Sequence, residues 1–135
     1  MCAIVTAILV TNVGHSLRAA SSDAQEIVGT WMLDSRIDRD AAGVVVPEPS
    51  LGSNPFGYLI YDRAGHVAAQ IMARDRQKSP SPAAVATSDP NNTGASGGYD
   101  AYVGRYSVDP NKKVVTHELE LALGPTDVGR KIMRR

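Results

Sequence analysis

One hairpin constrains this chain more than any other feature. Residues 57–72 read GYLIYDRAGHVAAQIM, two strand-forming runs on either side of Asp62, Arg63, Ala64 and Gly65. Asp at the first turn position and Gly at the last specify a tight antiparallel reversal. A type I turn with Gly65 left-handed gives a bulged hairpin in which Asp62 faces His66. That register sorts the side chains into an apolar face (Leu59, Tyr61, Val67, Ala69, Ile71) and a mixed face (Tyr58, Ile60, Asp62, His66, Ala68, Gln70, Met72). A two-residue loop at Ala64 and Gly65 would shift the register by one and leave neither face cleanly apolar, so the bulged form is expected.

The other segments extend the same pattern. Residues 27–37 alternate, with Gly29, Trp31, Leu33, Ser35 and Ile37 on one side, and read as a strand with Trp31 inward. Residues 38–43 read as a turn, 44–46 as a short strand stopped by Pro47 and Pro49, and 47–55 as a loop. Residues 99–108 put Tyr102, Gly104, Tyr106 and Val108 on one face. A turn over Asp109, Pro110, Asn111 and Lys112 leads to residues 114–123, where Val115, His117, Leu119 and Leu121 face one way and Thr116, Glu118, Glu120 and Ala122 the other. Glutamates belong in water, which places His117 inside. Another strand begins within residues 128–133. An antiparallel meander of about seven short strands without an amphipathic helix implies an all-β barrel or a two-sheet sandwich.

Two stretches stand apart. Residues 1–25 form a leader with an apolar run from Cys2 to Val10, too short to span a bilayer. Its length and small residues suit a secretory signal, but no Lys or Arg precedes the run, so secreted and cytoplasmic locations both fit. The β domain is expected over 26–135. Within it, residues 73–98 hold three prolines, many Ser, Ala, Asn and Gly residues and no aromatic side chain. Such a composition buries little and reads as a long flexible loop, either a cover over a barrel mouth or plain disorder. A glycosylation sequon at Asn91 matters only on a eukaryotic secretory route.

Charge and cysteine content exclude several functions. Fourteen basic and fourteen acidic residues balance, so no nucleic-acid partner is expected. Four basic residues near the end, Arg130, Lys131, Arg134 and Arg135, read as solvated strand side chains and a frayed end. A single Cys rules out an intrachain disulfide framework and a multi-cysteine zinc site. His15, His66 and His117 lie in unrelated segments, so no metal and no cofactor is expected.

Several segments together resemble the lipocalin-like domain family of small bacterial and fungal proteins. They are Val28, Gly29, Thr30 and Trp31; residues 57–61 followed by Gly65 and His66; residues 69–72; Gly104, Arg105 and Tyr106; Val115, Thr116 and His117; and Pro125, Gly129 and Arg134. The resemblance implies an up-and-down β-barrel with an interior cavity. Members of that family usually continue past the Arg134 position through strands that close the barrel. An open or incomplete barrel is therefore expected here, with strand edges available for pairing with another copy or a partner chain.

The leading reading is a small-molecule binding protein that holds an apolar or aromatic ligand against Trp31, Tyr58, His66, Gln70, Met72, Tyr102 and His117, which requires the mixed hairpin face to point inward. A second reading is a cyclase or isomerase acting on a polyketide- or terpenoid-like substrate, with His117 or His66 moving a proton and tyrosines holding an oxyanion. A third is a subunit whose sheet edge another chain completes. Each histidine also has a plainer role: His66 as an exposed residue after a turn, His117 as a hydrogen-bonded core residue. Arg105 fits either a ligand carboxylate or an outward salt bridge.

Overall fold

The computed structural model describes residues 25–46, 50–52, 54–76 and 91–135. The expected leader lies outside them except for Gln25, and so does the middle of the expected loop, residues 77–90. The strands are β1 (Gly29–Met32), β2 (Asp38–Arg39), β3 (Val45–Val46), β4 (Phe56–Tyr61), β5 (His66–Met72), β6 (Tyr99–Asp109), β7 (Val114–Ala122) and β8 (Lys131–Arg134). A 3-10 turn, Pro125–Asp127, precedes β8. Six strands form one antiparallel sheet in the order β1-β4-β5-β6-β7-β8, and β2 and β3 pair as a separate ribbon. Among the described residues the sheet is not closed into a barrel, because β1 and β8 are its two ends.

The bulged hairpin forms as its sequence specifies. Tyr61 pairs with Val67, the Asp62 amide donates to the His66 carbonyl at 3.0 Å, and Gly65 sits at φ +87°, open to glycine without strain. The facing is opposite to that required by the leading sequence reading. Tyr61, Val67, Ala69 and Ile71 are buried while Tyr58 and Gln70 are exposed, so the apolar face points inward. Burying the mixed face would have desolvated the Gln70 amide and left four apolar side chains in water.

Cross-strand registers carry this inner face over the whole sheet. One row runs Gly29, Tyr61, Val67, Gly104 and Leu119, and a second runs Trp31, Leu59, Ala69, Tyr102 and Ala122. A third brings Tyr106, His117 and Ile132 together. Ala69, Tyr102, Leu119 and Ile132 form the main core, and Leu51, Ile71 and Ala95 form a second. The register shifts between Val103 and Gly104, opposite Leu119 to Leu121. Leu121, expected inward beside His117 and Leu119, pairs with Val103 and is 65% exposed. One extra residue on the bulged strand reverses the facing of all that follow it.

The loop expected to bury little does the reverse at its C-terminal end, where residues 92–95 are buried. This stretch is a polar strap between the two ends of the sheet. From the β1 side, Arg36 donates to the Thr93 carbonyl at 3.2 Å, and Asn92 donates to Asp38. From the β8 side, Arg134 donates to the Asn91 carbonyl and Asp127 accepts from the Gly94 amide at 2.9 Å. Arg134 is therefore not the solvated side chain expected from the basic C-terminal run. Arg130 pairs with Asp127, and Lys131 with Glu118.

Candidate functional site

The inner face carries one concentrated polar centre. His117 is completely buried, and both of its ring nitrogens are engaged: Nε2 lies 2.8 Å from the Tyr61 hydroxyl and Nδ1 lies 2.9 Å from the Tyr102 hydroxyl. Tyr61 and His117 belong to strands three places apart, about 14 Å on a flat sheet. Side chains standing upright on a flat sheet would not meet, so the contact records the curl of the sheet around this point. Ring packing reinforces it. Tyr61 meets Tyr106 edge-on at 5.0 Å and His117 at 5.5 Å between centroids.

The electrostatics follow from burial beside a cation. Desolvation, helped by the Arg134 guanidinium, pushes the His117 pKa down to about 3, so the imidazole is neutral at physiological pH. Burial likewise raises both phenols, Tyr61 and Tyr102, above their ordinary value. Arg134 opposes that rise at both tyrosines. The centre is thus an uncharged Tyr–His–Tyr chain beside a guanidinium.

A second polar cluster sits where the strap meets β6. Arg36 grips Asp38 through Nε at 2.9 Å and Nη2 at 3.3 Å, and reaches Asp100 at 3.1 Å. Thr93 donates to the same Asp100 oxygen at 2.6 Å. The other oxygen, Oδ1, is buried without a hydrogen-bond partner among the described residues. Burial raises the Asp100 pKa against the opposing pull of Thr93 and Arg36.

The seven expected ligand residues divide. Tyr102 and His117 meet at the polar centre. Trp31 shares the inner face through its pairing with Leu59, but β1 is an edge strand, so the indole is 50% exposed at the rim, with Nε1 bonded to the Ile27 carbonyl. Tyr58, His66, Gln70 and Met72 lie on the outer face because the hairpin faces the other way. His66 is held at the turn by Asp62, with Nδ1 to Oδ2 at 2.9 Å, in a half-exposed pair remote from His117's face. Arg105 makes the outward salt bridge, to Glu120 at 3.3 Å. Two residues of the centre were not anticipated as site residues. Tyr61 was placed on the discarded hairpin face, and Arg134 was hidden in a basic tail.

Residues 28–135 match the profile of the lipocalin-like domain. The chain belongs to the lipocalin-like domain family. No curated protein and no solved structure matches it. The lipocalin-like domain here is an open antiparallel sheet whose buried face holds the polar centre. No helix among the described residues is long and apolar enough to cross a membrane.

Proposed function

We propose that this lipocalin-like domain binds a small, mostly apolar molecule on its concave face, oriented by the Tyr61–His117–Tyr102 centre. The observation that carries this reading is a fully buried histidine with a tyrosine on each ring nitrogen, set among Ala69, Leu119 and Ile132. Ligand sites commonly combine an apolar lining with a few convergent polar groups. Trp31, half exposed on the same face, supplies an aromatic rim. Binding is favoured over proton-transfer catalysis because an imidazole with a pKa of about 3 is a weak base at neutral pH. His66, the other candidate acid or base, stands outside on the turn.

Trp31 is the only tryptophan, so its emission reports directly on this face. Titration with aromatic ketones and medium-chain carboxylic acids is expected to shift or quench that emission with saturation. A flat response to every probe, with native mass spectrometry finding no retained molecule, would refute binding. A second reading, assembly through a sheet edge, draws on the two end strands β1 and β8, each paired on one side only among the described residues. Sedimentation showing a folded monomer at all concentrations would remove it.

A further inference from the structure

We infer that β1 is a self-pairing edge: two copies of this chain join antiparallel through it, with Trp31 facing Trp31 across a twofold axis, into one continuous sheet. The inference deepens the edge-assembly reading and rests on it for the existence of an assembly.

The phase of the β1 hydrogen bonds decides which groups the edge offers. The Leu33 amide donates to the Gly57 carbonyl at 2.8 Å, and the register steps from there through Trp31 with Leu59 to Gly29 with Tyr61. Bonded pairs alternate along an antiparallel ladder, so Gly29, Trp31 and Leu33 direct their main-chain groups at β4, and those of Thr30 and Met32 point away from it. No other strand among the described residues lies on that side. Thr30, Trp31 and Met32 are all exposed, Met32 at 66%.

This array is complementary to itself. With a twofold axis at Trp31, Thr30 of each copy opposes Met32 of the other and exchanges both main-chain bonds with it. Trp31 then meets Trp31 at the intervening unbonded position, where facing side chains come closest. The indole is already fixed, its Nε1 bonded to the Ile27 carbonyl at 2.8 Å, so pairing has little left to order there. An axis at Thr30 would set Met32 against Val28, whose amide already donates to the Gln25 carbonyl. An axis at Met32 would run past the end of β1 to Asp34. Only the axis at Trp31 uses both outward residues within the strand.

Residue type singles out this edge over the other. β1 reads GTWM and carries no charge, whereas β8 reads KIMR, and Lys and Arg on an edge oppose self-pairing. Arg134 of β8 is moreover tied to the Asn91 carbonyl of the strap. Pairing β1 of one copy with β8 of the next is head-to-tail and adds copies without closing at two, while β1 with β1 closes as a dimer.

Sedimentation velocity of the full chain from micromolar to near-millimolar concentration is expected to show a reversible monomer–dimer equilibrium and no larger species. Met32→Pro removes an amide directed away from β4, so the fold is kept while dimer affinity falls about thirtyfold, the worth of two net hydrogen bonds per dimer. Met32→Lys, at the same exposed position, is expected to weaken the dimer about fivefold by placing charge on the edge, and it decides should the proline variant fail to fold. Disulfide trapping in a Cys2→Ser background reads the register. Trp31→Cys is expected to form a covalent dimer under air, because facing Cα atoms of an unbonded pair lie about 4.5 Å apart. Thr30→Cys is expected to stay reduced, its two copies being offset diagonally beyond disulfide reach. A monomer at every concentration would remove edge assembly altogether. A dimer indifferent to both Met32 variants, or assemblies that grow beyond two, would overturn the β1 self-pairing while leaving edge assembly standing. Trapping through Thr30→Cys but not Trp31→Cys would overturn the register.

Discussion

Burial of His117 should make this protein sensitive to acid. In the unfolded chain His117 titrates near its ordinary value of 6.5, whereas in the fold its pKa is about 3. Above 6.5 both states are neutral and the residue contributes no pH dependence. Between 6.5 and about 3 the unfolded state takes up a proton that the folded state refuses, so stability falls as pH falls. Each unit in that window costs about 1.4 kcal/mol, so from pH 6.5 to pH 4 the loss is about 3 kcal/mol. That is a large part of the stability of an ordinary domain. Asp100 acts in the opposite sense: burial raises its folded pKa, so its contribution is greatest at low pH and is lost as pH rises through the folded value. A comparison with His117→Gln isolates the histidine, because Asp100 and the other carboxylates are common to both proteins. Urea denaturation from pH 7 to pH 4 should show wild type losing about 3 kcal/mol more than the variant. Parallel pH profiles, or a directly observed His117 titration near pH 6, would refute the buried, neutral assignment.

Three further outcomes follow from particular contacts. Arg36→Leu strands Asp38 and Asp100 as buried carboxylates without their guanidinium and should cost about 3–5 kcal/mol in urea unfolding. Gly104→Ala places a Cβ against the Glu118 carbonyl oxygen, backbone that cannot swing aside, so a loss of about 1–3 kcal/mol or more is expected by thermal denaturation. Ile132→Ala, at a fully buried position, should cost about 2–5 kcal/mol, whereas Leu121→Ala, on the exposed side of the bulge, should stay within about 0.5 kcal/mol of wild type.

The hairpin was legible in the sequence because its turn residues fix a register locally: Asp62 and Gly65 determine which residues share a face. Which face turns inward is decided by the rest of the sheet, and the apolar set of Tyr61, Val67, Ala69 and Ile71 wins because it offers more area to bury. His117 could be placed inside because Glu118 and Glu120 alternate with it and stay in water. Its partner Tyr61 is 56 residues away, and nothing in local alternation announces such a pairing. Leu121 was misplaced for a related reason, since a bulge opposite Val103 leaves no mark on a strand that still reads as regular alternation. The strap was hidden by composition. Residues 92–94 are buried through hydrogen bonds to Arg36, Asp38, Asp100 and Asp127 rather than through apolar bulk, and only Ala95 packs with apolar neighbours, Leu51 and Ile71.

The central claim is that a guest sits on the concave face beside the Tyr–His–Tyr centre. It is tested most directly by two-dimensional NMR of the labelled protein titrated with 2-acetylnaphthalene. Saturable shifts concentrated at the Tyr61, Tyr102 and His117 rings and at the Trp31 indole are the expected result. Shifts confined to Tyr58, Gln70 and the His66 turn, or none at any concentration, would contradict the claim.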